Sequence, residues 1–155
     1  MDQKRRETLK AGAGLLALLA AAGIIVPGEA HAADWNKAAF EGKTTQDALK
    51  ALGASGPTNS ADIVIRAADI AENGAVVPVG VATTLPGVKR LLLLVEKNPA
   101  VLSAMFDVSD AVEANFGTRV KMGQSSNVYA VALMADGRVL YTAKEVKVTL
   151  GGCGG

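Results

Sequence analysis

From residue 61 onward, short Val- and Ile-rich runs alternate apolar and polar residues, and each run is bounded by Gly, Asn, Asp or Pro. Successive side chains of an extended chain point to opposite faces, so this pattern specifies half-buried strands. The spacing predicts seven of them, at 62–67, 75–83, 88–96, 101–108, 119–123, 128–135 and 138–150. Turn chemistry agrees. Asn73-Gly74 and Asp136-Gly137 offer positive backbone φ at little cost, and Asn98-Pro99 forbids continuation of a regular strand. The expected fold class is all-β: an immunoglobulin-like antiparallel β-sandwich.

The segment before it reads differently. Over 34–53 the pattern is helical, with Trp35, Ala38 and Ala39 at one-face spacing and Thr44 as a cap ahead of Ala48, Leu49 and Leu52. Gly53, Gly56 and Pro57 end it, leaving short N-terminal helices to pack outside the sandwich or across one end. Two strands lack alternation. Val128, Ala130, Ala132 and Met134 point one way while Tyr129, Val131 and Leu133 point the other, and 91–95 is similar. A two-layer sandwich buries one face of each sheet, so the second apolar face needs cover from the helices or from another protein. The pattern leaves both open.

Residues 1–32 read as an export signal. Lys4, Arg5 and Arg6 precede an uncharged stretch from Ala11 to Val26, then Pro27 and a small-x-small cleavage site at Ala30-His31-Ala32. Arg5-Arg6 makes the signal twin-arginine-like. The apolar run is shorter and richer in Ala and Gly than a bilayer span, so cleavage near Ala32 and no stable membrane association are expected. The implied organisation is a signal at 1–32, a domain at 33–150 and a tail at 151–155. Removing the signal takes away the only histidine, His31, and leaves twelve basic and twelve acidic residues. A neutral domain without runs of like charge carries no footprint for nucleic acid. A domain without histidine has no Ser-His-Asp triad, no Cys-His pair and no imidazole for a metal or haem.

The chain finishes Gly151-Gly152-Cys153-Gly154-Gly155, with its single cysteine between two glycine pairs. Glycine lacks a Cβ and accepts nearly any φ and ψ, so such a tail is thin and conformationally permissive. Extended, its five residues span at most roughly 17 Å, far enough to carry a thiol into another protein's cleft. That thiol can form a reversible bond to sulfur, which makes Cys153 the candidate covalent attachment point and the four glycines its arm. An odd cysteine in an exported protein also fits an intermolecular disulfide. Display between four glycines favours the reactive thiol, because free cysteines are usually buried.

The residues also carry a resemblance. Val146-Lys147-Val148-Thr149-Leu150 running into Gly-Gly-Cys-Gly-Gly, the block from Ile70 to Val79, Glu96-Lys97-Asn98-Pro99, and Arg119-Val120-Lys121-Met122 followed by Ser125-Ser126 resemble the SoxY family. These are the sulfur-carrier subunits of the Sox thiosulfate-oxidising system. The resemblance implies a periplasmic, non-catalytic carrier with no resident cofactor, holding sulfur intermediates covalently on Cys153. It implies a heterodimer with SoxZ and passing visits to SoxXA, which couples thiosulfate to the cysteine, SoxB, which releases sulfate, and in some systems SoxCD. It also favours a partner as the cover for the doubly apolar strands.

Two rivals stand beside it. An exported sandwich that only assembles would use Cys153 as a link between chains. A ubiquitin-like sulfur carrier would activate a terminal carboxylate after Gly-Gly, but that class is cytoplasmic and β-grasp. Other motifs carry less. Asp107, Asp110 and Glu113 read as solvated surface, Met105, Met122 and Met134 as core filling, and Gly12 and Gly14 lie inside the signal with no strand before them.

Overall fold

The computed structural model describes residue 18 and residues 36–149. Helix α1 spans Lys37–Glu41 and α2 spans Thr45–Ala51. Nine strands follow among the described residues: β1 Thr58–Asn59, β2 Ile63–Arg66, β3 Ile70–Ala71, β4 Val77–Thr83, β5 Val88–Val95, β6 Leu102–Asp107, β7 Asn115–Val120, β8 Ser126–Met134 and β9 Val139–Val148. The larger sheet has the order β1-β9-β8-β5-β6, with β3 also on β9, and the smaller has the order β2-β4-β7. The expected segment 1–32 lies outside the described residues apart from Leu18. Among those described, no helix is long and apolar enough to cross a membrane.

Each expected strand has a counterpart, and two expectations about the strands need correction. The expected seven-strand, all-antiparallel immunoglobulin-like fold is instead a mostly-β sandwich of nine strands with mixed pairing. The two additions, β1 and β3, pair parallel to β9, through Thr58↔Leu140 and Asn59↔Tyr141 at one end and Ile70↔Lys147 and Ala71↔Val148 at the other. A two-residue strand has no periodicity to read. The fifth expected strand, 119–123, lies earlier, at Asn115–Val120. Its inward residues are Phe116, Thr118 and Val120, and the exposed Gly117 between them removes the polar side chain that would have marked the alternation.

Turn chemistry is confirmed at one hairpin and corrected at the connection between β3 and β4. Gly137 takes φ 87° between β8 and β9, where the Asp136 carboxylate accepts from the Arg138 N–H at 3.0 Å. Asn73-Gly74 turns by another device. Gly74 is not among the glycines with positive φ, and the Asn73 side chain itself accepts from the Ala75 N–H at 2.9 Å.

Strand β5 shows how the core is divided. Leu91, Leu92, Leu93, Leu94 and Val95 are all fully buried. Leu91, Leu93 and Val95 join Ile63, Val77, Val79 and Val81 of the smaller sheet, with Val128, Ala130, Ala132 and Val146, in the core between the sheets. Leu92 and Leu94 face the other way and form a second core with Val131, Leu102, Val139 and the helical residues Ala39, Ala48 and Leu49. Burying one such leucine stabilises by roughly 1.5–3 kcal/mol. The chain's own helices therefore cover Leu92, Leu94 and Val131, while Met105, Tyr129, Leu133 and Tyr141 of that face stay half-buried. The expectation that a partner subunit covers the face is corrected for the part beneath α1 and α2.

The helices hold their place through specific contacts, since helices this short are marginal alone. Thr44 caps α2 as expected: its hydroxyl accepts from the Asp47 N–H at 3.0 Å, and the Asp47 carboxylate accepts from the Thr44 N–H at 3.2 Å. Asn36 caps α1 and donates to the Ala51 carbonyl at 3.1 Å, tying the helices together. At Gly42 a Cβ would lie 2.9 Å from the Ala48 nitrogen, so only glycine permits this close approach. The Gly42 carbonyl accepts from Val101, which fixes the pair to the connection between β5 and β6.

Candidate functional site

Gly151, Gly152, Cys153, Gly154 and Gly155 lie outside the described residues, as does Leu150. The last described residue before them is Thr149, one beyond β9, and the geometry around it defines where the tail leaves the domain. Val146 is fully buried and Val148 half-buried, while Glu145, Lys147 and Thr149 face solvent, so β9 keeps its expected inward and outward faces to the end of the strand.

The end of β9 is held on both sides. On one side, the Lys147 N–H donates to the Asp69 carbonyl at 2.9 Å and the Thr149 N–H to the Ala71 carbonyl at 3.1 Å, extending the short parallel pairing with β3. The Thr149 hydroxyl adds a bond to the Glu72 carbonyl at 3.2 Å. On the other side, the Val148 N–H donates to the Ser125 hydroxyl at 2.9 Å, one residue before β8 begins. The Lys144 ammonium reaches back to the Ala67 carbonyl at 2.6 Å and the Asp69 carboxylate at 2.9 Å, pinning the approach to β3. Its hydrogen bond and charge hold the Asp69 carboxyl below the usual value.

A second tier of contacts supports this clamp. The Asn98 side chain donates to the Lys121 carbonyl at 2.7 Å, and the Met122 N–H donates to the Gly74 carbonyl at 2.7 Å. The buried Ser126 hydroxyl accepts from the Lys97 N–H and donates to the Asn127 carbonyl, both at 3.0 Å. The Asn127 side chain donates to Glu96 at 2.9 Å. These residues come from connections distant in sequence: the turn after β3, the turn after β5, and the link from β7 to β8. They are the segments singled out in the sequence, and the fold gathers them at the end of the sandwich where the tail departs. The sequence marks Asn73 and Asn98 as turn residues and Ser125 as part of a block, but not the hydrogen bonds they make. Their signal is a polar side chain at a turn, which reveals a hydrogen bond only once its partner is known.

Ser125→Ala removes the acceptor for the Val148 N–H. The expected loss is about 1 kcal/mol of stability, with faster amide exchange at Val148 and little change in the helix-covered core. Hydrogen exchange read by NMR checks this directly.

The motifs set aside have structural places. Asp107 pairs with Arg90 at 2.6 Å, tying β6 to β5. Asp110 and Glu113 line an open cavity of about 650 Å³ at the end of the sandwich away from β9's exit. Met122 is fully buried and Met134 nearly so in the intersheet core, and Met105 packs against the helix-covered one.

The described residues form a two-sheet, mostly-β sandwich whose last strand is hydrogen-bonded on both sides just ahead of the Gly-Gly-Cys-Gly-Gly segment. The family model for sulfur oxidation protein SoxY matches residues 48–153. The chain belongs to the SoxY family: it is a sulfur carrier of the Sox thiosulfate-oxidising system and not an enzyme. The sulfur carrier protein SoxY from Chlorobium limicola f thiosulfatophilum is similar in sequence and structure, with 33% identity and a TM-score of 0.60 over 66% of this chain and 92% of that one. A superoxide reductase (neelaredoxin) from Ignicoccus hospitalis shares the fold, with 16% identity and a TM-score of 0.50 over 56% of this chain and 79% of that one. No curated protein gives a significant sequence match.

Proposed function

We propose that Cys153 is the atom-bearing site of this carrier, that Gly151, Gly152, Gly154 and Gly155 form the arm presenting it, and that the mature domain works in the periplasm paired with SoxZ. The observation that carries this reading is the reach of the family match. It extends through residue 153, and Cys153 is the only cysteine in the chain. A sulfur carrier needs a group that binds sulfur reversibly, and no other side chain here offers thiol–disulfide chemistry. The hydrogen-bonded clamp at Thr149 supports the same reading, because it fixes the root of the arm.

The chemistry balances on a single thiolate. In oxidative coupling it joins the outer sulfur of thiosulfate, the new S–S bond costs two electrons, and those pass to the haem enzyme SoxXA. Hydrolysis by SoxB adds a water oxygen to the sulfonate sulfur and breaks its bond to the sulfane sulfur, so sulfate leaves and a persulfide stays on Cys153, the bond between Cys153 and the sulfane sulfur being kept. Each step leaves the carrier ready for the next. An export signal over 1–32 and cleavage near Ala32 suit this setting, and SoxCD is the expected oxidant of the persulfide where it is present.

Tetrathionate tests the attachment site without any enzyme. Attack by the thiolate on a central sulfur breaks the central S–S bond, expels thiosulfate and leaves Cys–S–S–SO₃⁻, one S–S bond forming as another breaks. The expected mass addition maps to the C-terminal peptide and disappears with a reductant. An addition on any other peptide contradicts the assignment.

A further inference from the structure

Apart from the attachment site and independent of Cys153, we propose that the outer face of the smaller sheet holds a noncovalent site for a tetrahedral sulfur oxyanion, thiosulfate or sulfate, between Arg66 and Arg119. The strand register puts the residues of this site on one face. Arg66 pairs with Gly80, and Gly80 with Gly117; Arg119, two residues beyond Gly117, pairs with Pro78, two residues before Gly80. Directly opposite residues of a sheet share a face, as do alternate residues of one strand. Arg66, Pro78, Gly80, Gly117 and Arg119 therefore all face outward, while Val79 and Val81 between them are buried in the intersheet core.

One guanidinium is held in place over this face and the other is free to join it. A Cβ on Gly80 would lie 3.2 Å from Arg66 Nε, because the Arg66 side chain lies across that glycine. Its Nη2 donates to the Asn115 side-chain carbonyl on β7, so the guanidinium crosses the sheet from β2 over β4. An amide oxygen accepts a hydrogen bond without cancelling the charge, and the remaining N–H groups of the fork stay available. At Gly117 a Cβ would meet nothing within 4 Å, which leaves open space beside the guanidinium. Arg66, Pro78, Gly80, Gly117, Thr118 and Arg119 line a hollow of about 390 Å³ that contains no acidic residue. Arg66 also borders the larger cavity with Asp62, Asp110 and Glu113, yet neither arginine forms an ion pair among the described residues. Two uncompensated guanidinium groups around an open, acid-free hollow suit a doubly charged oxyanion, since the planar fork of N–H donors matches its oxygens. Thiosulfate and sulfate are dianions at neutral pH, and they are the anions that a thiosulfate-oxidising system takes up and releases.

The test is an NMR titration of the full chain, kept reduced, with sodium thiosulfate in one arm and sodium sulfate in the other, at an ionic strength held constant with sodium chloride. Saturable shifts are expected at the amides of Gly80, Gly117, Thr118 and Arg119 and at the Nε–H groups of Arg66 and Arg119. Saturation in either arm supports the site, and the arm that saturates at lower concentration identifies the preferred anion. Arg119→Gln weakens binding about fivefold, the worth of one exposed charge pair. Its side chain makes no hydrogen bond or ion pair among the described residues, so this variant keeps the fold. Arg66→Gln together with Arg119→Gln removes saturation altogether. Asn115→Ala frees the Arg66 guanidinium without removing its charge and weakens binding about twofold. Lys121→Gln, a cation outside the hollow, changes nothing, and Cys153→Ser titrates like the wild type, which keeps this result separate from the reading of the attachment site. Shifts that fail to saturate in both arms overturn the site, as do saturable shifts that survive the loss of both arginines.

Discussion

Cys153→Ser is expected to abolish thiosulfate-dependent sulfate production by a reconstituted Sox system, while the protein folds with the stability of the wild type. The loss is complete in kind, because a serine hydroxyl forms no S–S bond and no second cysteine exists to substitute. Stability is untouched because the residue lies four positions beyond the last clamped strand contact. The measurement is sulfate formed per carrier, beside a thermal melt of the same sample. Sulfate release persisting at the wild-type rate would place the sulfur elsewhere, and a coincident fall in the melting point would turn the effect into one of folding.

Leu92→Ala lowers the stability of the isolated chain by about 3 kcal/mol, the usual cost of emptying a leucine site in a packed core. For a domain of this size that corresponds to a fall in melting temperature on the order of 10 °C. Leu92 is fully buried beneath α1 and α2 in the core shared with Ala48, Leu49, Leu94 and Val131, with no partner chain required. The prediction separates two accounts of the same apolar strand. Were this face a subunit interface, truncation would spare the isolated chain and weaken only the pairing with SoxZ. Thermal denaturation of the chain alone therefore decides the matter.

The strand pattern made most of the sandwich legible, because alternation records which face of an extended chain is buried. It located β2, β4, β5, β6, β8 and β9 within a few residues, and Thr44 marked the start of α2 through the chemistry of its hydroxyl. The parallel additions β1 and β3 escaped because two residues cannot display a period. Their positions depend on β9, which lies roughly seventy to eighty residues downstream of them and acts through hydrogen bonds indifferent to side-chain type. Coverage of the outer face of β5 and β8 was open in the sequence for a similar reason. Alternating and continuous apolar runs say that a surface is buried, and only the chain path says by what.

The site divides the same way. Cys153 and its glycines were visible as a motif, and the Gly-Gly-Cys-Gly-Gly composition carries its own chemical reason. The root of the arm was not. Ser125, Asn98 and the Thr149 hydroxyl hold the end of β9 and its surroundings only because three connections meet at one end of the sandwich, a tertiary fact. The segments around them stood out in sequence as blocks, and the fold explains why those blocks belong together.

Intact-mass measurement of the protein taken from cells actively oxidising thiosulfate tests the central claim most directly. The account predicts a mature chain beginning after residue 32 that bears sulfane and thiosulfonate additions, all removed by reductant and all absent from the Cys153→Ser protein. A chain of unmodified mass under those conditions, or additions that survive the substitution, would contradict it.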